Sequence, residues 1–225
     1  MTTAEPAHAK LSPSSSFRWL TCPGSIAMID AIGADSKSEP AAEGTAAHQV
    51  RSECLELGLD PSDFVGQRIT VDDWTFEVTD DMADFLQPGI DRIRELAGDT
   101  LHVEYRVDLG RWLPGQFGTL DAGWWTPELI YIDDLKYGRI AVSPVGNDQL
   151  RIYALGFWHN VARHHTQATE FEISIDQPRS QSGGGTWRVT LDELLAFGET
   201  VAAAGLAIDA ETAPRIPSAP ACSYC

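Results

Sequence analysis

Between Leu101 and Tyr137 the hydrophobic period changes from helical to strand-like, and this block limits the fold more than any other. In Leu101–Leu109 the odd positions Leu101, Val103, Tyr105, Val107 and Leu109 are apolar, and the even ones are His102, Glu104, Arg106 and Asp108. Such alternation marks a half-buried strand with one polar face. Pro114-Gly115 turns the chain, and Gln116 to Trp125 reads as a second strand. Pro127-Glu128 turns it again before a third strand from Leu129 to Tyr137. A meander of this kind must bury its apolar face against other elements.

Helical spacing brackets the meander. Ser14-Ser15-Ser16 can cap a short helix through Phe17, Trp19 and Leu20 that Pro23-Gly24 interrupts or ends, and Gly33 to Pro40 reads as loop. Ala46 to Leu57 is expected to be a helix with Thr45 as N-cap, Gly58 as stop and an apolar stripe at Ala47, Val50, Cys54 and Leu57. A further helix is expected from about Asp80 to Leu96, capped by Thr79 and kinked or split at Pro88-Gly89. Asn147 can cap a helix reaching about Val161, and Phe171, Ile173 and Ile175 alternate on a fourth strand. A flexible Gly183-Gly184-Gly185 tip and a short strand at Trp187–Val189 follow. Thr190 and Glu193 form a capping box for a last helix to about Ala210. The expected fold class is α/β, a central mixed β-sheet flanked by helices. One domain spans 1–225, with 1–13 as a flexible arm and 213–225 as a Pro-rich tail.

Hydrophobic residues make up 43% and charged residues 22% of the 225, an ordinary globular composition that excludes a disordered or fibrous chain. No long apolar run or signal-like N-terminus is visible, so a soluble, cytoplasmic protein without a membrane partner is expected. The charge balance is unusual: 16 Lys and Arg against 33 Asp and Glu give −17. Such a surface repels polyanions at long range, so any nucleic-acid contacts must be local, metal-assisted or supplied by a partner.

Chemistry-bearing residues cluster around the third strand. Asp134 and Lys136 project from one face of it and Leu135 from the other. A carboxylate and an ammonium so placed can hold a divalent ion and a water or phosphate oxygen together, though the pair alone also fits an ordinary surface ion pair. In the second strand Asp121 stands among small and apolar residues, where a carboxylate needs a cation, a strong donor or a turn to satisfy it. His48 borders the buried stripe of its helix, as a site residue or a satisfied boundary histidine. Gln149 and Tyr153, four apart, share one face of the later helix. Cys22-Pro23 and the pair Cys222 and Cys225 suggest a metal or redox site.

Taken in order, these segments resemble the PD-(D/E)XK nuclease superfamily, in particular its RecB-type exonuclease branch, which includes the CRISPR-associated iron–sulfur exonucleases and phage or prophage members. The matching segments are Ser12 to Gly24 with Cys22, Glu43-Gly-Thr-Ala-Ala-His48, Gly118-Thr-Leu-Asp121, Asp134-Leu-Lys136, Gln149-Leu-Arg-Ile-Tyr153 and Gln177-Pro178-Arg179. The resemblance implies that His48, Asp121, Asp134 and the Leu135 carbonyl ligate Mg²⁺ or Mn²⁺. It implies that Lys136 orients or activates the attacking water, that the Glu104 carboxylate assists, and that Gln149 and Tyr153 contact DNA and support the site. A hard divalent ion prefers such oxygen ligands. It further implies a [4Fe–4S] cluster on Cys22, Cys222 and Cys225 that clamps the chain ends. The third late cysteine of that pattern is absent, leaving a truncated chain, Cys54 as substitute, an incomplete or missing cluster, or a Zn²⁺ site as alternatives.

The function implied is metal-dependent DNA exonuclease activity on single strands or ends, in phage or prophage DNA recombination or processing. A non-catalytic DNA-end-binding or assembly subunit of a recombination or CRISPR-adaptation-like complex, with a partner protein, is the alternative that the acidic surface favours. A restriction-type endonuclease is a third. Arg139, Arg151, Arg179 and Arg188 are among the candidate local DNA contacts. Trp124 and Trp125 either stack on bases or belong to the core.

Overall fold

The computed structural model describes residues 9–33, 38–210 and 212–222. Seven helices are described, α1 (Ser16–Trp19), α2 (Ser25–Ile32), α3 (Glu39–Leu57), α4 (Asp80–Ala97), α5 (Asp148–Asn160), α6 (Leu191–Ile208) and α7 (Ala219–Cys222). The strands are β1 (Arg68–Val71), β2 (Trp74–Glu77), β3 (His102–Asp108), β4 (Phe117–Trp125), β5 (Leu129–Leu135), β6 (Glu170–Asp176) and β7 (Gly185–Thr190). The sheet order is β3-β4-β5-β6-β7, with β5 and β6 parallel and every other pair antiparallel. The expected mixed sheet flanked by helices is therefore present. The β1–β2 hairpin was not anticipated from the sequence.

α5 is the crossover between the parallel strands, as a parallel pair requires. It brings Leu150, Ala154 and Phe157 onto a core with Val107, Leu120, Ile132 and Ile173. α3 and α4 cover strand residues elsewhere in the sheet: Val50 and Cys54 of α3 meet Leu86 and Ile90 of α4 and Leu135 of β5. The side chains of Thr79, Asn147 and Thr190 cap their helices through Met82, Leu150 and Glu193 amides, as their spacing foretold.

Three expectations need correction. α3 begins at Glu39, not Ala46; Pro40 sits in its first turn, where it loses no helical hydrogen bond, and Thr45 lies inside the helix with its hydroxyl donating to Ala41 O. Pro88 does not split α4, because Asp84, whose carbonyl loses its donor, is solvent-exposed and water can replace it. The alternation along β3 breaks at Glu104, whose φ is +44°. His102 and Tyr105, three residues apart, both pack on Phe157, so His102 lies against the core and not on a polar face. Trp124 is buried and stacked on Tyr131, and Trp125 stacks on His165; both serve the packing. Among the described residues no helix is long and apolar enough to cross a membrane.

Candidate metal centre and the ion-pair network beside it

β4 and β5 pair only from Ala122 to Trp125 against Ile130 to Asp133. Beyond that they part, and the carboxylate of Asp121 takes the freed backbone donor: Leu135 N–H donates to Asp121 Oδ2 at 2.8 Å. The lone Asp of β4 is thereby satisfied by a strand end and by α3, where His48 Nδ1 stands 3.1 Å from the same oxygen. The backbone break at Glu104 occurs directly across from Asp121. Donor atoms of His48, Glu104 and Asp121 lie within 4.8 Å of one another.

Asp134 stands on β5, the other of the two parting strands, close enough for Asp121 to act on its charge. Its Oδ2 is 2.6 Å from Lys136 Nζ, and its Oδ1 accepts from Gln149 Nε2 at 3.2 Å. Lys136 Nζ also donates to Gln149 Oε1 at 3.3 Å, and Gln149 Nε2 reaches the Tyr153 hydroxyl at 3.5 Å. Gly118 makes room for this arrangement, since a Cβ there would fall 2.7 Å from the Tyr153 ring. The sequence-chosen residues thus converge in two groups, His48–Glu104–Asp121 and Asp134–Lys136–Gln149–Tyr153. Glu104, the least defined of the expected participants, completes the donor cluster, and Asp134 is held by Lys136 and Gln149.

Electrostatics distinguish the carboxylates. Burial works against the Asp121 charge, but His48, Arg51 and Lys136 outweigh it and hold its carboxyl below the usual range. Burial dominates at Asp134 and pushes it up despite Lys136. Glu104, open to solvent on one side, is pushed up to about 7, first by partial desolvation and then by Asp121. Burial opposes the charged forms of His48 and Lys136, yet Asp121 and Asp134 respectively raise both. The donor set is one imidazole with carboxylate oxygens, and its negative charge is incompletely offset. Those properties fit Mg²⁺ or Mn²⁺, the imidazole favouring Mn²⁺ somewhat.

Sequence reasoning missed Arg51, one helical turn after His48. Its side chain is 3% exposed and pairs with Asp133, which is itself 1% exposed, while its Nη1 lies 3.8 Å from Asp121 Oδ2. Arg92 meets Asp133 at 2.8 Å and Glu172 at 2.8 Å, Ser174 donates to Asp133, and Arg188 closes the chain on Glu172 at 2.8 Å. The signal available in sequence was the doublet Asp133-Asp134, whose members must face opposite sides of a strand and so need separate partners.

The cysteines are only partly described. Cys22 is buried and its Sγ accepts from Ile216 N–H at 3.2 Å, where the C-terminal segment returns along α1 and α2. Cys222 is exposed at the end of α7, and Cys225 lies outside the described residues. Cys54 is sealed in the α3–α4 core and its thiol is pushed up to about 11, chiefly by burial, which makes it a core residue. Of the cluster ligands expected from the resemblance, only Cys22 and Cys222 are among the described residues.

The fold is one shared with a solved structure. A crystal structure titled "Putative exonuclease", from Eubacterium rectale, aligns with 100% of this chain and 91% of its own at a TM-score of 0.50 and 12% identity, so the two share a fold. A crystal structure titled "SSO0001" aligns over 95% of this chain and 82% of its own, with a TM-score of 0.38 and 12% identity. The chain belongs to the family described as "Protein of unknown function (DUF2800)", whose family model matches residues 8–225.

Proposed function

We propose that this chain is a metal-dependent nuclease of the PD-(D/E)XK type, an exonuclease that hydrolyses phosphodiester bonds of single-stranded DNA or DNA ends. The observation that carries the proposal is the convergence, from α3, β3, β4, β5 and α5, of a His48–Glu104–Asp121 donor cluster and an Asp134–Lys136–Gln149 chain at one strand parting. A scaffold has no need to bring these groups together. The fold shared with the Eubacterium rectale protein supports the same assignment, as do the ordered motifs. Processing of phage or prophage DNA, with a recombination partner, is the setting that the resemblance suggests.

His48, Glu104 and Asp121, with Asp134 and the Leu135 carbonyl on the adjoining strand, would hold Mg²⁺ or Mn²⁺. Such an ion supplies a hard Lewis acid that offsets charge on the phosphoryl oxygens. The chain's own groups do the rest. Hydrolysis forms a bond from water oxygen to phosphorus and breaks the bond to the sugar oxygen; the attacking water's proton passes to solvent, and the departing sugar oxygen takes one up from solvent to leave as a hydroxyl. Asp134 keeps Lys136 cationic, and the ammonium can donate to the water or to a phosphoryl oxygen as charge develops there. Gln149 spans Asp134, Lys136 and Tyr153 and so fixes the direction of the ammonium. Asp121, held ionised by His48 and Arg51, keeps a permanent anion in the cluster.

Release of nucleotides from end-labelled single-stranded DNA with Mn²⁺ or Mg²⁺ tests this, alongside Asp134→Ala and Lys136→Ala. Metal-dependent release, lost in both variants, is expected. No release from folded protein with either metal on single- or double-stranded DNA would overturn the assignment and favour a DNA-end-binding subunit. Cleavage of a closed circular single strand would replace exonuclease by endonuclease.

A further inference from the structure

We propose that the loop after Lys136 and the segment from Gln177 to Thr190 together form the surface on which a single DNA strand lies as it enters the site. This rests on the nuclease assignment for its ligand. In a chain of net charge −17, residues 136–147 contain Lys136 and Arg139 and no acidic residue, and residues 177–190 contain Arg179 and Arg188 and no acidic residue.

The two segments are joined by one buried side chain. Gln177 Nε2 donates to Gly138 O at 2.9 Å and to Ile140 O at 2.7 Å, while its Oε1 accepts from Val142 N–H at 2.9 Å. Gly184 N–H donates to Val142 O at 2.9 Å. Gly183 is required here, because a Cβ at that position would overlap Gln177 Oε1. The glycine tip that sequence suggested to be flexible is thus hydrogen-bonded in place. The Gln177-Pro178-Arg179 motif acquires a task.

What the clamp displays suits an unpaired strand. Ile140 is 77% and Val145 64% exposed, beside an exposed Arg139 that makes no ion pair among the described residues. Arg139 lines a cleft of about 480 Å³ with Phe85, Arg179, Ser180 and Gln181. Arg179 is fixed over the Tyr137 ring at 4.5 Å and pairs with Glu43 of α3 at 2.8 Å, while Asp81 of α4 also acts on Tyr137. Arg139 is therefore the free cation of the cleft among the described residues. Ile140 follows Lys136 by four positions, a reach of at most about 14 Å. Phosphates on Arg139 and bases against Ile140 and Val145 would lead a strand to the Lys136 ammonium. A duplex offers no unstacked base for such apolar side chains, so the surface selects single strands. Local cations on a clamped loop also explain how an acidic protein could bind a polyanion.

The test measures binding of short fluorescein-labelled oligo(dT) to the full chain by anisotropy in Ca²⁺, with Arg139→Ser and Ile140→Ser. Hydrolysis of bis(p-nitrophenyl) phosphate in Mn²⁺, a substrate too small to span the loop, is followed in parallel. Arg139→Ser is expected to weaken binding and to reduce the slope of log affinity against log salt by about 1. Ile140→Ser is expected to weaken single-strand binding by about tenfold, the scale of one removed apolar contact. Both should leave the small substrate's hydrolysis unchanged. Unchanged affinity and salt slope in both variants, or tighter binding of duplex than of oligo(dT), would overturn the surface while leaving the nuclease assignment standing. Oligo(dT) binding lost in the variants of a protein that hydrolyses neither DNA nor the small substrate would keep the surface and overturn the nuclease. Absence of oligo(dT) binding by the unmodified chain would overturn the surface.

Discussion

Two clusters of charged side chains meet along α3, and they are built from the same residue types to opposite effect. Around Asp133, two guanidiniums and a hydroxyl converge on one fully buried carboxylate. Around Asp121, two further carboxylates stand near and the nearest groups are an imidazole and a backbone amide, with Arg51 at 3.8 Å and Lys136 committed to Asp134. The first cluster is internally neutralised and has nothing left to bind. The second gathers an imidazole and carboxylate oxygens within 4.8 Å of one another, a donor set that could hold a cation. Carboxylate count does not separate a structural network from a binding site; the local balance of charge does.

That contrast is most severely tested at Arg51, which touches both clusters. Arg51→Met leaves Asp133 with half of its cations at 1% exposure. Loss of one partner from a buried pair costs about 3–5 kcal/mol. Urea unfolding should therefore show a drop of that order, and a loss below about 1 kcal/mol would mean that Asp133 is not the neutralised anchor described here.

The reverse is expected at Asp121. Asp121→Asn should lower metal-dependent nucleotide release by about 10²–10³-fold, the scale of one lost charge-stabilising group. Calorimetric titration should show weakened Mn²⁺ binding, while urea stability changes far less than in Arg51→Met. Equal destabilisation in the two variants would erase the distinction between the clusters.

Much of this arrangement was legible in the sequence wherever the deciding interaction is local. The caps at Thr79, Asn147 and Thr190 act through a side chain and an amide three residues away, and each was found. Asp134 and Lys136 share a face because strand geometry requires it, and Gln149 and Tyr153 share one because helix geometry does. What escaped depends on partners distant in sequence. Arg51 looks like any helical arginine until β5 places Asp133, 82 residues away, beneath it. The family resemblance points to Glu104 as a site carboxylate, but its break in the alternating strand was not seen, because nothing local announces its positive φ. The early start of α3 was hidden by the ordinary expectation that Pro40 breaks a helix.

A smaller effect separates the clusters by pH. Asp176 lines the cleft beside Asp133 and its carboxyl is raised from the ordinary 3.8 to about 6, first by burial, with Arg51 opposing and Asp133 adding to the rise. A carboxyl raised in the folded state favours folding most below its unfolded value, and that advantage is lost as pH rises through about 6. Asp176→Asn should therefore be more stable than the unmodified chain at pH 8 by about 1–2 kcal/mol, the two-unit rise reduced for residual solvent contact. The gain should vanish by about pH 4. A variant less stable at every pH would mean that Asp176 is needed as an anion by Arg51, and the network would then be short of negative charge.

The weakest expected effect lies at the outer end of the same network. The Arg188 side chain is 59% exposed and its partner Glu172 already accepts Arg92, so Arg188→Ala removes one solvent-screened contact from a carboxylate that keeps another. Exposed ion pairs contribute about 0–1 kcal/mol, and urea unfolding of Arg188→Ala should fall within that range. Arg92→Ala should cost more, because Arg92 also serves Asp133, and the double variant should lose more than the sum, since Glu172, with 14% of its side chain exposed, would then lack any cation. Strict additivity would show that the chain from Asp133 to Arg188 is a row of independent pairs. In that case neutralisation at Asp133 comes from Arg51 and Arg92 alone, and Arg188 serves only Glu172.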